Sequence, residues 1–134
     1  MLPSEWSLLR LLERLDTAGL SGLMPTLLEH LSESVGAIGV RLLIADIEAR
    51  RFEMREGLRA GQVPHSQEID IEGSVHGRAY TDGVLERTAI DGHHVLITPV
   101  TARHERQGVL EVTLEGDPTD EVADVVETVG VLLG

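Results

Sequence analysis

Gly73-Ser-Val-His-Gly-Arg-Ala-Tyr-Thr-Asp-Gly83 decides how this chain is read. Ser74 is a natural N-cap, and Val75 and Ala79, four residues apart, fall on one face of the short helix that follows. Gly83 suits the left-handed conformation in which helices commonly end. The stretch therefore predicts a helix over about 74–81. Toward the C-terminus, Val84 to Thr88 reads as a short strand (about 84–89), and Asp91-Gly92 is a strong hairpin signal. Two further strands follow, over about 94–102 and 107–115. In the last of them Leu110, Val112 and Leu114 share one face, and Glu111, Thr113 and Glu115 share the other. Asp117 is expected to cap a terminal helix over about 118–133, with Pro118 at its first position and Glu121 in its first turn. Val122, Val125, Val126, Val129 and Leu132 or Leu133 form its apolar stripe.

Toward the N-terminus, residues 67–71 alternate, with Ile69 and Ile71 inward. Residues 57–66 contain two glycines and Pro64 and show no periodicity. A loop of that length is often functional when ordered. A strand over 51–57 precedes it. Before that, Val40 to Ile47 is apolar on both faces except for Arg41 and Asp46, which suits a central strand over about 39–48. Two helices open the chain. One spans about 5–16 with Leu8, Leu12 and Leu15 on a stripe, and the other spans about 21–34 with Leu23, Leu27, Leu28, Leu31 and Val35. The order α-α-β-β-β-α-β-β-β-α implies an α+β fold with a central antiparallel sheet of about six strands. The terminal helices lie on one sheet face, and the short helix and long loop lie on the other, where a pocket would form.

Composition narrows the function. At 134 residues with 42% apolar content, the chain fits one domain over 1–134. No apolar run approaches the ~18–20 residues that cross a bilayer, and no signal pattern opens the chain, so a cytoplasmic protein is expected. The formal charge is −12, and all eleven basic residues are arginine. That balance argues against nucleic acid and anionic membrane as partners. The absence of cysteine removes disulfides, thiolate nucleophiles, thiolate metal sites and thioether-linked chromophores. Trp6, Phe52 and Tyr80 are the only aromatic residues, so a pocket must be lined mainly by aliphatic groups. No cofactor is expected.

The candidate ligand-binding residues are Arg55, His76, Arg78, Tyr80, Thr98 and Glu111. His76 and Tyr80 either point together into the pocket or form a surface pair. Arg55, Arg59, Arg78 and Arg87 either converge on an anionic ligand or neutralise nearby Glu53, Glu56, Glu68 or Glu86. Glu111 either anchors a ligand amine or ring N–H or belongs to an exposed polar face. His93 and His94 are adjacent on a strand and point to opposite faces, so no metal site is expected there. No motif brings Ser, His and Asp together as a catalytic set, so no enzyme activity is expected.

The 73–83 stretch with Val84-Leu-Glu-Arg87, then Val95-Leu-Ile-Thr-Pro-Val100 and Gly108-Val-Leu-Glu-Val112, resembles the GAF family along essentially the whole chain. That resemblance implies ligand binding between the sheet and the short helix. It also implies a homodimer through the terminal helices, with Leu8, Leu12, Leu15, Val122, Val126 and Val129 at the interface, and control of an output domain. The helix-rich start and lysine-free character are similar to GAF modules that precede metal-dependent serine/threonine phosphatases in actinobacteria. Family members that reduce free methionine sulfoxide use cysteines, which are absent here. Leu132-Leu133-Gly134 reads either as a C-cap or as a helix continuing toward an output domain beyond residue 134. The competing reading is a purely structural dimerisation module with no open pocket.

Overall fold

The computed structural model describes residues 23–45, 50–57, 69–102 and 105–133. The helix expected over 5–16, with Leu8, Leu12 and Leu15, lies outside the described residues, as does the 58–68 loop. The elements run α1 (Leu23–Val35), β1 (Ala37–Ala45), β2 (Arg51–Gly57), β3 (Ile69–Asp70), α2 (Val75–Asp82), β4 (Glu86–Ile90), β5 (His93–Ala102), β6 (Glu105–Leu114) and α3 (Asp120–Leu133). The six strands form one sheet in the order β3-β2-β1-β6-β5-β4, and every neighbouring pair is antiparallel.

Alternation along the strands gives the sheet two different faces. Val40, Leu42, Leu96, Leu110 and Val112 meet Met24, Leu27, Leu28 and Leu31 of α1 and Val125, Val126 and Val129 of α3 in one core. Both helices therefore cover the same, back face. A second cluster on the front face gathers Leu43, Phe52, Val95, Ile97 and Val109 with Ala79 of α2. The central strands are apolar in both directions because each face is roofed by helix, and the alternating inward side chains feed two cores.

The C-terminal end of α1 is tied to the end of β6 at the sheet centre. Gly36 alone separates α1 from β1, and the Glu115 N–H, just past β6, donates to the Gly36 carbonyl at 3.2 Å. The Asp91-Gly92 turn adopts positive φ at both residues, as a tight hairpin between β4 and β5 requires.

The start of α3 corrects the sequence reading. The helix begins at Asp120, and Thr119, not Asp117, caps it. Thr119 Oγ1 accepts from the Val122 N–H at 3.1 Å, and the Thr119 carbonyl accepts from the Ala123 N–H. Asp117 pairs instead with His94 of β5, its Oδ1 lying 2.6 Å from Nε2. Thr119→Ala is accordingly expected to lower stability by about 1 kcal/mol in denaturant melts, with Asp117→Ala closer to neutral because its partner is exposed.

Candidate functional site

The register of β1 against β6 sets Arg41 directly opposite Glu111. Opposed residues in an antiparallel ladder project to the same face, here the front. A long cation and a carboxylate so placed can meet flat-on. Arg41 Nε donates to Glu111 Oε2 at 2.5 Å, and Nη2 donates to Oε1 at 2.6 Å. This is the bidentate fork that makes arginine–carboxylate pairs strong.

α2 adds the third member from above. Its N-cap is Ser74, whose Oγ accepts from the Gly77 N–H at 2.9 Å, and Gly83 closes it at φ 70° with its N–H on the Ala79 carbonyl. Fixed at both ends, the helix turns His76, Gly77 and Ala79 to the sheet. His76 Nε2 lies 2.6 Å from Glu111 Oε1, and both side chains are buried. An ionised carboxylate only accepts, so Nε2 carries the shared proton.

Burial raises the Glu111 pKa, but the hydrogen bonds from His76 and Arg41, and their charges, outweigh it and hold the carboxyl at about 2. The folded value lies below the ordinary 4.5, so the contribution to stability is complete above about 4.5 and is lost as pH falls through about 2. Acid titration of the wild type should lose on the order of 3 kcal/mol in that window through this group, and Glu111→Gln should flatten the same stretch of the curve.

Of the residues singled out from sequence, the structure brings His76 and Glu111 together. Tyr80 is half-buried on the same side of α2 and meets Phe52 edge-on, with ring centroids 5.8 Å apart. The surface-pair reading of His76 is thereby corrected. Thr98 is also corrected. It shares the parity of Leu96 and Val100 and lies on the back face, where a Cβ added to Gly130 of α3 would come within 2.7 Å of its Cγ2. It cannot contact a front-face ligand. Arg78 is exposed and pairs with Glu86 at 3.2 Å, and Arg87 pairs with Asp120 at 3.0 Å, so neither converges on the site. Arg55 stands opposite Leu42 in the ladder, and its side chain lies outside what is described.

The valines expected at a dimer interface face the sheet instead. Val126 and Val129 are fully buried in the chain's own core and Val122 is packed against it, so these side chains are taken up by the sheet and not presented to a partner.

Sequence reasoning missed two arginines. Arg41 was visible as the lone charge within the apolar run Val40–Ile44, but its partner lies 70 residues away. Arg106 of β6 reaches the C-terminal end of α2 and donates to the carbonyls of Tyr80, at 2.8 Å, and Thr81. A cation there complements the negative end of the helix dipole.

No protein-family model matches the chain, and no curated protein matches it in sequence. Solved structures do match in shape. The GAF domain of an Acinetobacter phosphoenolpyruvate-protein phosphotransferase superposes with a TM-score of 0.81 over 99% of this chain and 91% of that one, at 15% identity. The GAF domain of the corresponding Coxiella burnetii protein gives 0.79 over 97% and 89%, at 14% identity. A type II free methionine-R-sulfoxide reductase from Thermoplasma acidophilum gives 0.66 over 82% and 86%, at 11% identity. The fold is therefore the GAF fold. Among the described residues no helix is long and apolar enough to cross a membrane.

Proposed function

We propose that this chain is a non-catalytic signalling module. Its front face beneath α2 takes a small molecule, and its back helices carry the response to an attached or partner output domain. The observation that carries the reading is Glu111: an ionised carboxylate held by Arg41 and buried beneath a short helix on the face opposite α1 and α3. Charge is costly to bury, and a fold that needed only a core would be served as well by apolar residues at these positions. The shape shared with GAF domains of two phosphotransferases supports a regulatory role. The sequence resemblance to phosphatase-linked modules supports a phosphatase as the output. A thiol-based reductase activity like that of the family members that reduce free methionine sulfoxide has no cysteine to act through here.

One feature favours the purely structural alternative: the chain's own side chains already occupy both oxygens of Glu111. Two measurements separate the readings. In a metabolite panel followed by melting temperature, a sensor shows at least one compound that stabilises wild type and loses its effect in Glu111→Gln. No such compound, with a dimer intact by sedimentation, decides for the structural module.

A dimer formed through α3 would use its outer side, where Val131 is 66% exposed and Leu132 is also exposed. Val131→Glu should then shift the sedimentation profile to monomer without lowering the monomer's melting temperature. Val126→Glu should unfold the chain instead, because it buries a charge in the core. A wild type that is monomeric at all concentrations removes the dimer from both readings.

A further inference from the structure

α2 is attached to the sheet differently from α1 and α3. Its buried residues are His76, Gly77 and Ala79, of which the glycine and alanine offer one side-chain carbon between them, and Val75 and Tyr80 are only partly covered. By contrast, α1 buries Met24, Leu27, Leu28 and Leu31, and α3 buries Val125, Val126 and Val129. Apolar stabilisation scales with area removed from water, so the seat of α2 depends on polar contacts to a degree the others do not. Two of those contacts are exposed: Arg78 with Glu86, and Arg106 on the last carbonyls of the helix. Exposed pairs contribute little. The contact made in the interior is His76 with Glu111.

Around that contact the carboxylate is held from two sides. Arg41 on the strand pins the carboxylate from below, taking Oε2 and sharing Oε1, so the anion is held in one orientation. The remaining approach to Oε1 is filled by a planar ring N–H delivered from α2. We propose that His76 is a built-in occupant of a ligand seat on Glu111. Its external competitor is a small molecule carrying a planar N–H donor (an imidazole, amidine or guanidine) whose entry lifts α2 from the sheet. The inference rests on the front-face reading above and names the ligand class for that site. A tethered competitor acts at a high effective concentration, so free imidazole alone does not displace it from wild type. Removing the side chain removes the competitor.

The experiment is His76→Ala with imidazole as the probe at neutral pH. His76→Ala is expected to melt roughly 5 °C or more below wild type. Imidazole at tens of millimolar should recover at least half of that difference, and leave wild type and the double variant His76→Ala/Glu111→Gln unmoved. A folded His76→Ala that does not respond, or a response retained in the double variant, overturns the proposal. Hydrogen exchange on wild type gives a test independent of how the variant folds. The Ala79 and Tyr80 amides should exchange by local opening at least 100-fold faster than that of Val112. If they exchange only with global unfolding, the histidine cannot vacate its seat and the proposal fails. A metabolite panel that finds nothing sinks the sensor reading without touching the imidazole result, so the two failures are distinguishable.

Discussion

Glu111→Ala should cost about 3–5 kcal/mol of unfolding free energy at neutral pH, measured by urea denaturation. The loss is large because the substitution does more than delete three hydrogen bonds. It leaves the Arg41 guanidinium without its bidentate partner and the buried His76 ring of α2 without an acceptor. Arg41, 16% exposed, retains some access to water, which places the expected value toward the lower end of that range. A double-mutant cycle with His76→Ala isolates the helix–sheet part. The two losses should be strongly non-additive, with a coupling of at least about 1 kcal/mol, because they remove the same contact. A loss for Glu111→Ala below about 1 kcal/mol would mean that water screens the site as at a surface.

Gly77→Ala is the second large effect, and helix propensity alone predicts the wrong sign for it. Alanine is favoured over glycine inside a helix by about 1 kcal/mol. At this position, however, a Cβ would stand 1.4 Å from the Ile71 carbonyl oxygen and 2.4 Å from its carbon. The obstacle is backbone, and Ile71 is itself held by its N–H on the Arg50 carbonyl at 3.0 Å. It cannot rotate aside as a side-chain tip would, so the helix must lift. Overpacking of this kind costs 1–3 kcal/mol when side chains absorb it, and a net loss of about 3 kcal/mol is expected where they cannot. Hydrogen exchange should show the damage concentrated in α2, with β6 amides still protected. A stabilised Gly77→Ala would contradict the close approach of α2 to the 69–71 segment.

The parts of this architecture that were legible in sequence were those written locally. Ser74 and Gly83 bound α2 because capping is decided within a few residues, and the alternation through Leu110, Glu111 and Val112 assigned opposite faces because period two is a property of one strand. What was not legible depended on partners distant in sequence. Arg41 acquires its role only through the β1–β6 register. Thr98 sits in a strand that is apolar on both faces, so its neighbours gave no sign of which side it would take. Val126 and Val129 were correctly read as a buried stripe, but a stripe does not say whether sheet or partner buries it. Asp117 was the expected cap of α3. The choice went to Thr119 while Asp117 was drawn to His94.

The bond from the Glu115 N–H to the Gly36 carbonyl has a mechanical consequence. It ties the residue at which the chain leaves α1 to the residue just past the end of β6, beside the paired strands at the middle of the sheet. A torque applied to α1 is then delivered directly to the β1–β6 ladder, whereas α3 reaches that ladder through residues 115–119. Both helices bear on the same ladder that Arg41 and Glu111 cross-brace from the opposite side.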